Sequence, residues 1–220
     1  MARRPIETTE WVGQRLRETR NYGDSPPASA YEVLGPNILR VEREDRFAFT
    51  AGIISEYDVK PIHVESLVER VEMVVNVPAR SRWSGEAIQL VQQHGRSFGG
   101  IKDIMAACNW DEVSEYVRDE FRFFEERIST HRNLERLDRL TDRLYLLHRK
   151  NYPPKRVVLL NEYELSGPNI WDAAKLHGPF DIVHHTNPNG KVLADGVAAG
   201  KTLEVSILKL GDLFRRLNQP

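Results

Sequence analysis

Four apolar runs that each end in a dense polar cluster constrain the fold of this chain more than any other feature. The runs occupy residues 47–54, 73–78, 157–160 and 181–183, and the clusters that follow them occupy 55–58, 79–86, 161–164 and 184–190. In open α/β sheets, ligands bind beyond the carboxyl ends of the strands, because the strand-to-helix loops there are free to carry polar groups. The sequence therefore predicts an α/β sheet with a site at the edge where these four strands end.

Strand and helix patterns alternate at both ends of the chain, around a central helical and hairpin segment. A long amphipathic helix is predicted over 111–127, followed by an antiparallel strand pair over 142–148 and 156–160. No internal repeat is evident. We predict one three-layer α/β domain over residues 37–220, with a mixed, mostly parallel sheet and a helical and β-hairpin insert. Residues 1–36 are predicted to be an N-terminal arm that contains turn and linker residues at 21–27.

Composition narrows the classes of function. The net charge of −1 provides no general attraction to nucleic acid or to an anionic membrane, so any nucleic-acid contact needs a local basic patch. The single cysteine, Cys108, excludes an intrachain disulfide and a multi-cysteine metal site, and its apolar neighbours predict a buried thiol. No 18-residue apolar stretch and no signal-peptide pattern occurs, so we expect a cytoplasmic protein without a membrane partner.

Polar and aromatic side chains of the clusters are the predicted ligand contacts. Asparagine amides and an arginine–aromatic pair suit a phosphate, a nucleobase or an anion at a helix N-terminus, although tight loops use the same residue types for packing. The predicted binding residues are Ser55, Glu56, Asn76, Arg80, Trp83, Asn161, Asn187, Asn189 and Lys191.

Glu162 and Glu164 are the predicted catalytic pair. Alternate residues of an extended segment point the same way, so the two carboxylates could hold Mg²⁺ or Mn²⁺ or serve as acid and base. The alternative is an exposed connection before the next helix. No residue is predicted as a resident metal ligand. His184 and His185 are adjacent in a strand and face opposite ways, and no histidine pair has helical i, i+4 spacing.

A second hypothesis places nucleic acid on a basic patch around the hairpin. The patch consists of Arg143, Arg149, Lys150, Lys155 and Arg156. The preceding segment mixes arginines with acids, which is typical of a solvated, salt-bridged face.

The closing forty residues resemble the last segment of Mrr-like restriction endonuclease domains. The likeness consists of the strand 182–187, the alanine-rich helix 194–200, the short strand 203–207 and the leucine-rich helix 210–217. The resemblance implies a nuclease-like fold, whose catalytic pattern is an acid followed by Glu/Gln-x-Lys on the next strand of a hairpin. The hairpin here carries Asp142 and Glu162 but no lysine two residues after Glu162, so nuclease activity is not implied.

Three functions follow, in order of preference. The first is an α/β domain that recognises a nucleotide or nucleic acid, as a degenerate nuclease-like fold. The second is a metal-dependent phosphodiesterase or nuclease that uses Glu162 and Glu164. The third is a protein-interaction subunit whose partner is another protein or a second copy of this chain. Cofactor use stays open, with Mg²⁺ or Mn²⁺ as the ions that the carboxylates would take.

Overall fold

The computed structural model describes residues 4–19 and 28–220, and it divides the chain into two compact units, Met1–Arg118 and Asp119–Pro220. The predicted α/β class is confirmed, because each unit combines helices with a mixed sheet. The predicted single sheet is wrong, since the strands form two five-stranded sheets, one in each unit. None of the helices in the described ranges is long and apolar enough to cross a membrane.

The first unit is built on a sheet with strand order β1-β2-β3-β5-β7. Strands β1 to β3 form an antiparallel meander, and β3, β5 and β7 run parallel. Its elements are α1 (Pro5–Thr19), β1 (Ala30–Gly35), β2 (Ile38–Glu42), β3 (Phe49–Ile54), β4 (Asp58–Val59), α2 (Pro61–Val64), β5 (Met73–Asn76), β6 (Arg82–Trp83), α3 (Gly85–Gln93), β7 (Ser97–Gly100), α4 (Ile101–Ala107) and a short 3₁₀ helix (Val113–Glu115).

Apolar side chains on alternate strand positions cover both faces of this sheet. Ile53 and Val75 pack with residues of α1 and α4, whereas Ile54 and Val74 pack with residues of α2 and α3. A strand buried on both faces needs a nearly continuous apolar run, which the sequence provides in β3 and β5. The first unit therefore has three layers, and its polar residues are concentrated at the strand ends.

The second unit has strand order β14-β12-β10-β9-β8. Strands β8 to β10 form an antiparallel meander, and β10, β12 and β14 run parallel. Its elements are α5 (Asp119–Ser129), β8 (Leu134–Arg139), β9 (Leu144–Arg149), β10 (Lys155–Leu160), β11 (Glu164–Leu165), α6 (Gly167–His177), β12 (Ile182–His185), β13 (Lys191–Val192), α7 (Ala194–Thr202), β14 (Ser206–Leu208) and α8 (Leu210–Arg216).

The second unit repeats the topology of the first, although the sequence shows no evident repeat. Both follow the order helix, three-stranded meander, short strand, helix, parallel strand, short strand, helix, parallel strand, helix. The short strands pair with each other in parallel in both units, β4 with β6 and β11 with β13. Even the turn after the penultimate helix matches, because Gly95 and Glu204 occupy equivalent positions with φ of 64° and 56°.

Several local predictions are confirmed and others are wrong. Ser84 caps α3 by accepting a hydrogen bond from the Ala87 amide, as the sequence predicts. The long helix predicted over 111–127 is broken, because Tyr116 and Arg118 both bind the Asp103 carboxylate and leave the helical path. The segment 134–139, interpreted as part of a solvated, salt-bridged face, is the partly exposed edge strand β8, which carries the ion pairs Arg136–Asp138 and Arg139–Glu125.

The N-terminal arm predicted over 1–36 also differs from the structure. It contains α1 and β1, and β1 pairs with β2 as an edge strand of the first sheet. The pair is a hairpin closed by the two residues between Gly35 and Ile38, so the first sheet begins inside the segment that was predicted to be an arm. Residues 1–3 and 20–27, which include the predicted linker, lie outside the described ranges.

Candidate functional site

The four polar clusters meet in pairs. Ile54 is the register partner of Asn76 in the parallel pair β3–β5, so the clusters at 55–58 and 79–86 leave the same edge of the first sheet. Leu160 is the partner of His185 in β10–β12, which brings together the clusters at 161–164 and 184–190. The prediction that all four converge on one sheet edge is wrong, because they belong to two different sheets. We call the pairs the first and the second strand-end cluster.

The first strand-end cluster is held by a charged pair across β4 and β6. The Arg82 guanidinium donates to Asp58 Oδ1 from Nε at 2.9 Å and from Nη2 at 2.7 Å. Partial burial would raise the pKa of Asp58, but the arginine holds it below its ordinary value. The Arg82 amide also donates to the Tyr57 carbonyl at 2.9 Å, so the loop and the neighbouring strand are joined by backbone and side chain together.

Asn76, predicted to contact a ligand, instead anchors this loop. Its side chain is buried and forms two hydrogen bonds with Glu56, accepting from the amide at 2.9 Å and donating to the carbonyl at 2.8 Å. Trp83 is only 4% exposed and packs against the Phe98 ring at 5.1 Å between centroids, so it is a core residue. Ser55 and Arg80 are exposed. Tyr57, which the sequence analysis did not select, is 76% exposed.

The second strand-end cluster has the same construction. Lys191 Nζ lies 2.9 Å from Glu164 Oε1, and the Lys191 amide donates to the Tyr163 carbonyl at 2.9 Å. Nε2 of the buried His185 donates to the Glu162 carbonyl at 2.6 Å. Tyr163 is 65% exposed. His185 therefore supports the loop that carries Tyr163.

Gly190 is required where the second cluster is most tightly packed. A Cβ atom at this position would lie 2.5 Å from both the Glu162 carbonyl oxygen and His185 Nε2. Any larger residue would force the loop away from the hydrogen bond that supports it. The glycine therefore serves close packing of the loop.

The loop around Asn187 does not lie at a helix N-terminus, where an anion contact was predicted. Asn187 Oδ1 accepts from the Asn189 amide at 3.1 Å, and the Gly190 amide donates to the Asn187 carbonyl at 3.2 Å. Lys209 Nζ binds the carbonyls of Asn187 and Gly190 from inside the unit. Strand β13 then intervenes before α7, so these amides do not lie at a helix N-terminus.

The predicted catalytic carboxylates lie at the surface. Glu162 and Glu164 are both exposed, and Glu164 is paired with Lys191. Within the described ranges, no group of three or more His, Cys, Asp or Glu side chains is placed to hold a metal ion. The pair therefore lacks a third ligand among these residues.

The predicted basic patch is smaller than the sequence suggests. Arg149 is 4% exposed and donates to the carbonyls of Pro153 and Gln219 at 2.7 and 2.6 Å, so it cannot meet a phosphate at the surface. Arg143 is partly buried and lies 3.1 Å from Glu120 Oε1, which also accepts from the Thr186 hydroxyl. Lys150 and Arg156 are exposed and Lys155 is partly exposed. Arg149, which is buried and bonded to backbone carbonyls, therefore has a structural role.

Tyr57 and Tyr163 are exposed in the two clusters and were not predicted from the sequence as site residues. A signal for them exists, because Glu-Tyr followed by an acid occurs after both β3 and β10. Its meaning depends on the topology, which places the two tripeptides at equivalent positions. Comparison with protein-family models, with curated proteins and with solved structures found no match.

Proposed function

We propose that this chain recognises single-stranded nucleic acid through the two strand-end clusters, with Tyr57 and Tyr163 as stacking surfaces. The observation that supports this proposal is the exposure of both rings, 76% and 65%, at the carboxyl edge of a parallel strand pair. Stacking of a base on an aromatic side chain contributes about 1–3 kcal/mol and tolerates any base. The edge itself is the place where α/β sheets commonly bind ligands.

The charges around the tyrosines favour stacking over phosphate attraction. Arg82 and Lys191 are each paired with an acid, and Glu56 and Glu162 lie beside the tyrosines in sequence. A cluster without excess positive charge releases few counterions, so binding should depend weakly on salt. This differs from the steep dependence that a fully exposed patch of five basic residues would give.

The residues of the third meander strands, β3 and β10, favour a binding function over nucleic-acid cleavage. The nuclease pattern implied by the resemblance needs an acid followed by Glu/Gln-x-Lys on the next strand of a hairpin. Residues 51–54 of β3 are Ala-Gly-Ile-Ile and residues 157–160 of β10 are Val-Val-Leu-Leu. The whole of β3 has no acid and no lysine, and β10 begins with Lys155 but has Pro153, not Glu or Gln, two residues before it, so no catalytic step is proposed.

Binding of another protein is the second candidate. It is favoured by large apolar side chains at the surface, including Phe47 at 93%, Ile62 at 69% and Trp171 at 45% exposure. Exposed large apolar side chains are typical of protein contacts. Binding to an oligonucleotide distinguishes the two candidates directly.

The test is fluorescence anisotropy with labelled oligothymidylate and oligouridylate at low salt. Replacing both tyrosines, Tyr57→Ala and Tyr163→Ala, should weaken binding at least tenfold, since about 1.4 kcal/mol corresponds to a factor of ten. Phe47→Ala removes an equally exposed ring outside the clusters and should leave affinity unchanged. Absence of binding to both probes would refute the proposal and leave the protein-binding candidate.

A further inference from the structure

We infer that the two units are copies of one ancestral unit and that the two strand-end clusters are equivalent sites, so that each chain binds two short single-stranded ligands. The inference rests on the proposed function for the class of ligand. It goes beyond that function in fixing the stoichiometry and in giving both tyrosines the same role. Shared topology alone would not carry it, because unrelated domains can have the same strand order.

The backbone registers match residue by residue. Ala51 pairs with Met73 and Ile54 with Asn76 in the first sheet, as Val157 pairs with Ile182 and Leu160 with His185 in the second. The short strands begin at Asp58 and Glu164, the same distance beyond these pairs, and their partners begin at Arg82 and Lys191. No residue is inserted or deleted in the loops of either cluster.

Hydrogen bonds outside the regular sheets match too. The amides of Thr50 and Arg156 donate at 2.7 Å to the carboxylates of Glu72 and Asp181, which are equivalent residues. Buried Arg43 donates to the carbonyls of Phe47 and Trp110, and Arg149 donates to those of Pro153 and Gln219, again at equivalent positions. Such specific side-chain to backbone contacts are not consequences of topology, so they support duplication.

The clusters share the contacts that shape their loops. The acid–base pair across the short strands is Asp58–Arg82 in one unit and Glu164–Lys191 in the other. A buried side chain, Asn76 or His185, holds the carbonyl of the glutamate before the tyrosine. The two loops are therefore held in the same way by chemically different residues.

The exposed tyrosines are identical in the two units, whereas the buried residues that hold their loops are not. Across the matched segments, 30–64 with 136–170 and 73–110 with 182–219, the Glu-Tyr of the clusters is the only pair of adjacent residues identical in both units. The buried residues that hold the two tyrosine loops have diverged, as Asn76 and His185 show. Exposed side chains contribute little to stability, so folding does not account for an identical exposed tyrosine in both units. Contact with the same ligand does.

Equilibrium dialysis with a labelled thymidine trinucleotide, a ligand short enough for one cluster, tests the inference. The unaltered chain should bind two equivalents, Tyr57→Ala and Tyr163→Ala should each bind one, and the double variant should bind none. Tyr57→Phe and Tyr163→Phe keep the ring and should retain two. One equivalent, dependent on a single tyrosine, would overturn the equivalence and leave the proposed function standing. No binding by the unaltered chain would overturn the proposed function and, with it, this inference.

Discussion

Replacement of the buried arginine at the equivalent positions of the two units should cost each unit a similar amount of stability. Arg149 is 4% exposed, and its two short hydrogen bonds reach the carbonyls of Pro153 and Gln219 at 2.7 and 2.6 Å. Arg43 is 9% exposed and makes both corresponding bonds at 2.6 Å. Each arginine joins the turn of its hairpin to the segment that follows the last α-helix of its unit, α4 or α8.

The size of the effect follows from these contacts. A hydrogen bond from a charged donor contributes about 1.5–3 kcal/mol, and methionine of similar length leaves two carbonyls without a donor. Relief from burying a charge offsets part of the loss. Arg43→Met and Arg149→Met should therefore each lower the free energy of unfolding by about 2–4 kcal/mol.

Urea denaturation followed by circular dichroism measures this loss. Arg156→Met is the matched control, since Arg156 is exposed on the neighbouring strand and its replacement should change stability by less than about 0.5 kcal/mol. If the units unfold in separate transitions, each variant should shift the transition of its own unit. A loss below about 1 kcal/mol in either variant would show that the buried arginines do not support the fold as described.

Two further predictions concern charged groups. Burial would raise the pKa of Asp103, but the hydrogen bonds and charge of Arg118 hold it below its ordinary value. The ionised Asp103 carboxylate therefore contributes fully to the free energy of unfolding above the pKa of an unfolded aspartate, about 3.9. That contribution is lost as the pH falls through the lower pKa of the folded state. Asp103→Asn should destabilise the chain at neutral pH and make urea midpoints less sensitive to acid; an unchanged acid profile would contradict this assignment. Millimolar Mg²⁺ or Mn²⁺ should not raise the melting temperature, because Lys191 lies 2.9 Å from Glu164 and repels a dication. A rise that Glu162→Gln abolishes would instead favour the phosphodiesterase hypothesis.

The sequence pattern was sufficient to predict those strands and helix ends that depend on residues close together in the chain. The apolar runs at β3, β5, β10 and β12 are buried on both faces, and continuous burial requires continuous apolar sequence. Ser84 before α3 has the capping chemistry that starts a helix. The position of the polar clusters at the ends of buried strands also followed from the sequence, because each cluster directly follows an apolar run.

Partners distant in sequence decided the rest. Whether a cluster faces one sheet or another depends on strand pairing, which local pattern does not encode, so the expectation of one shared edge failed. Arg149 and Trp83 are of types common at nucleic-acid sites, and only the packing shows that both are buried. The repeat was hidden because a buried position accepts many apolar residues of similar volume, so sequences diverge while registers persist. Tyr57 and Tyr163 became recognisable as a pair only when the topology placed them at the same point of two matching units.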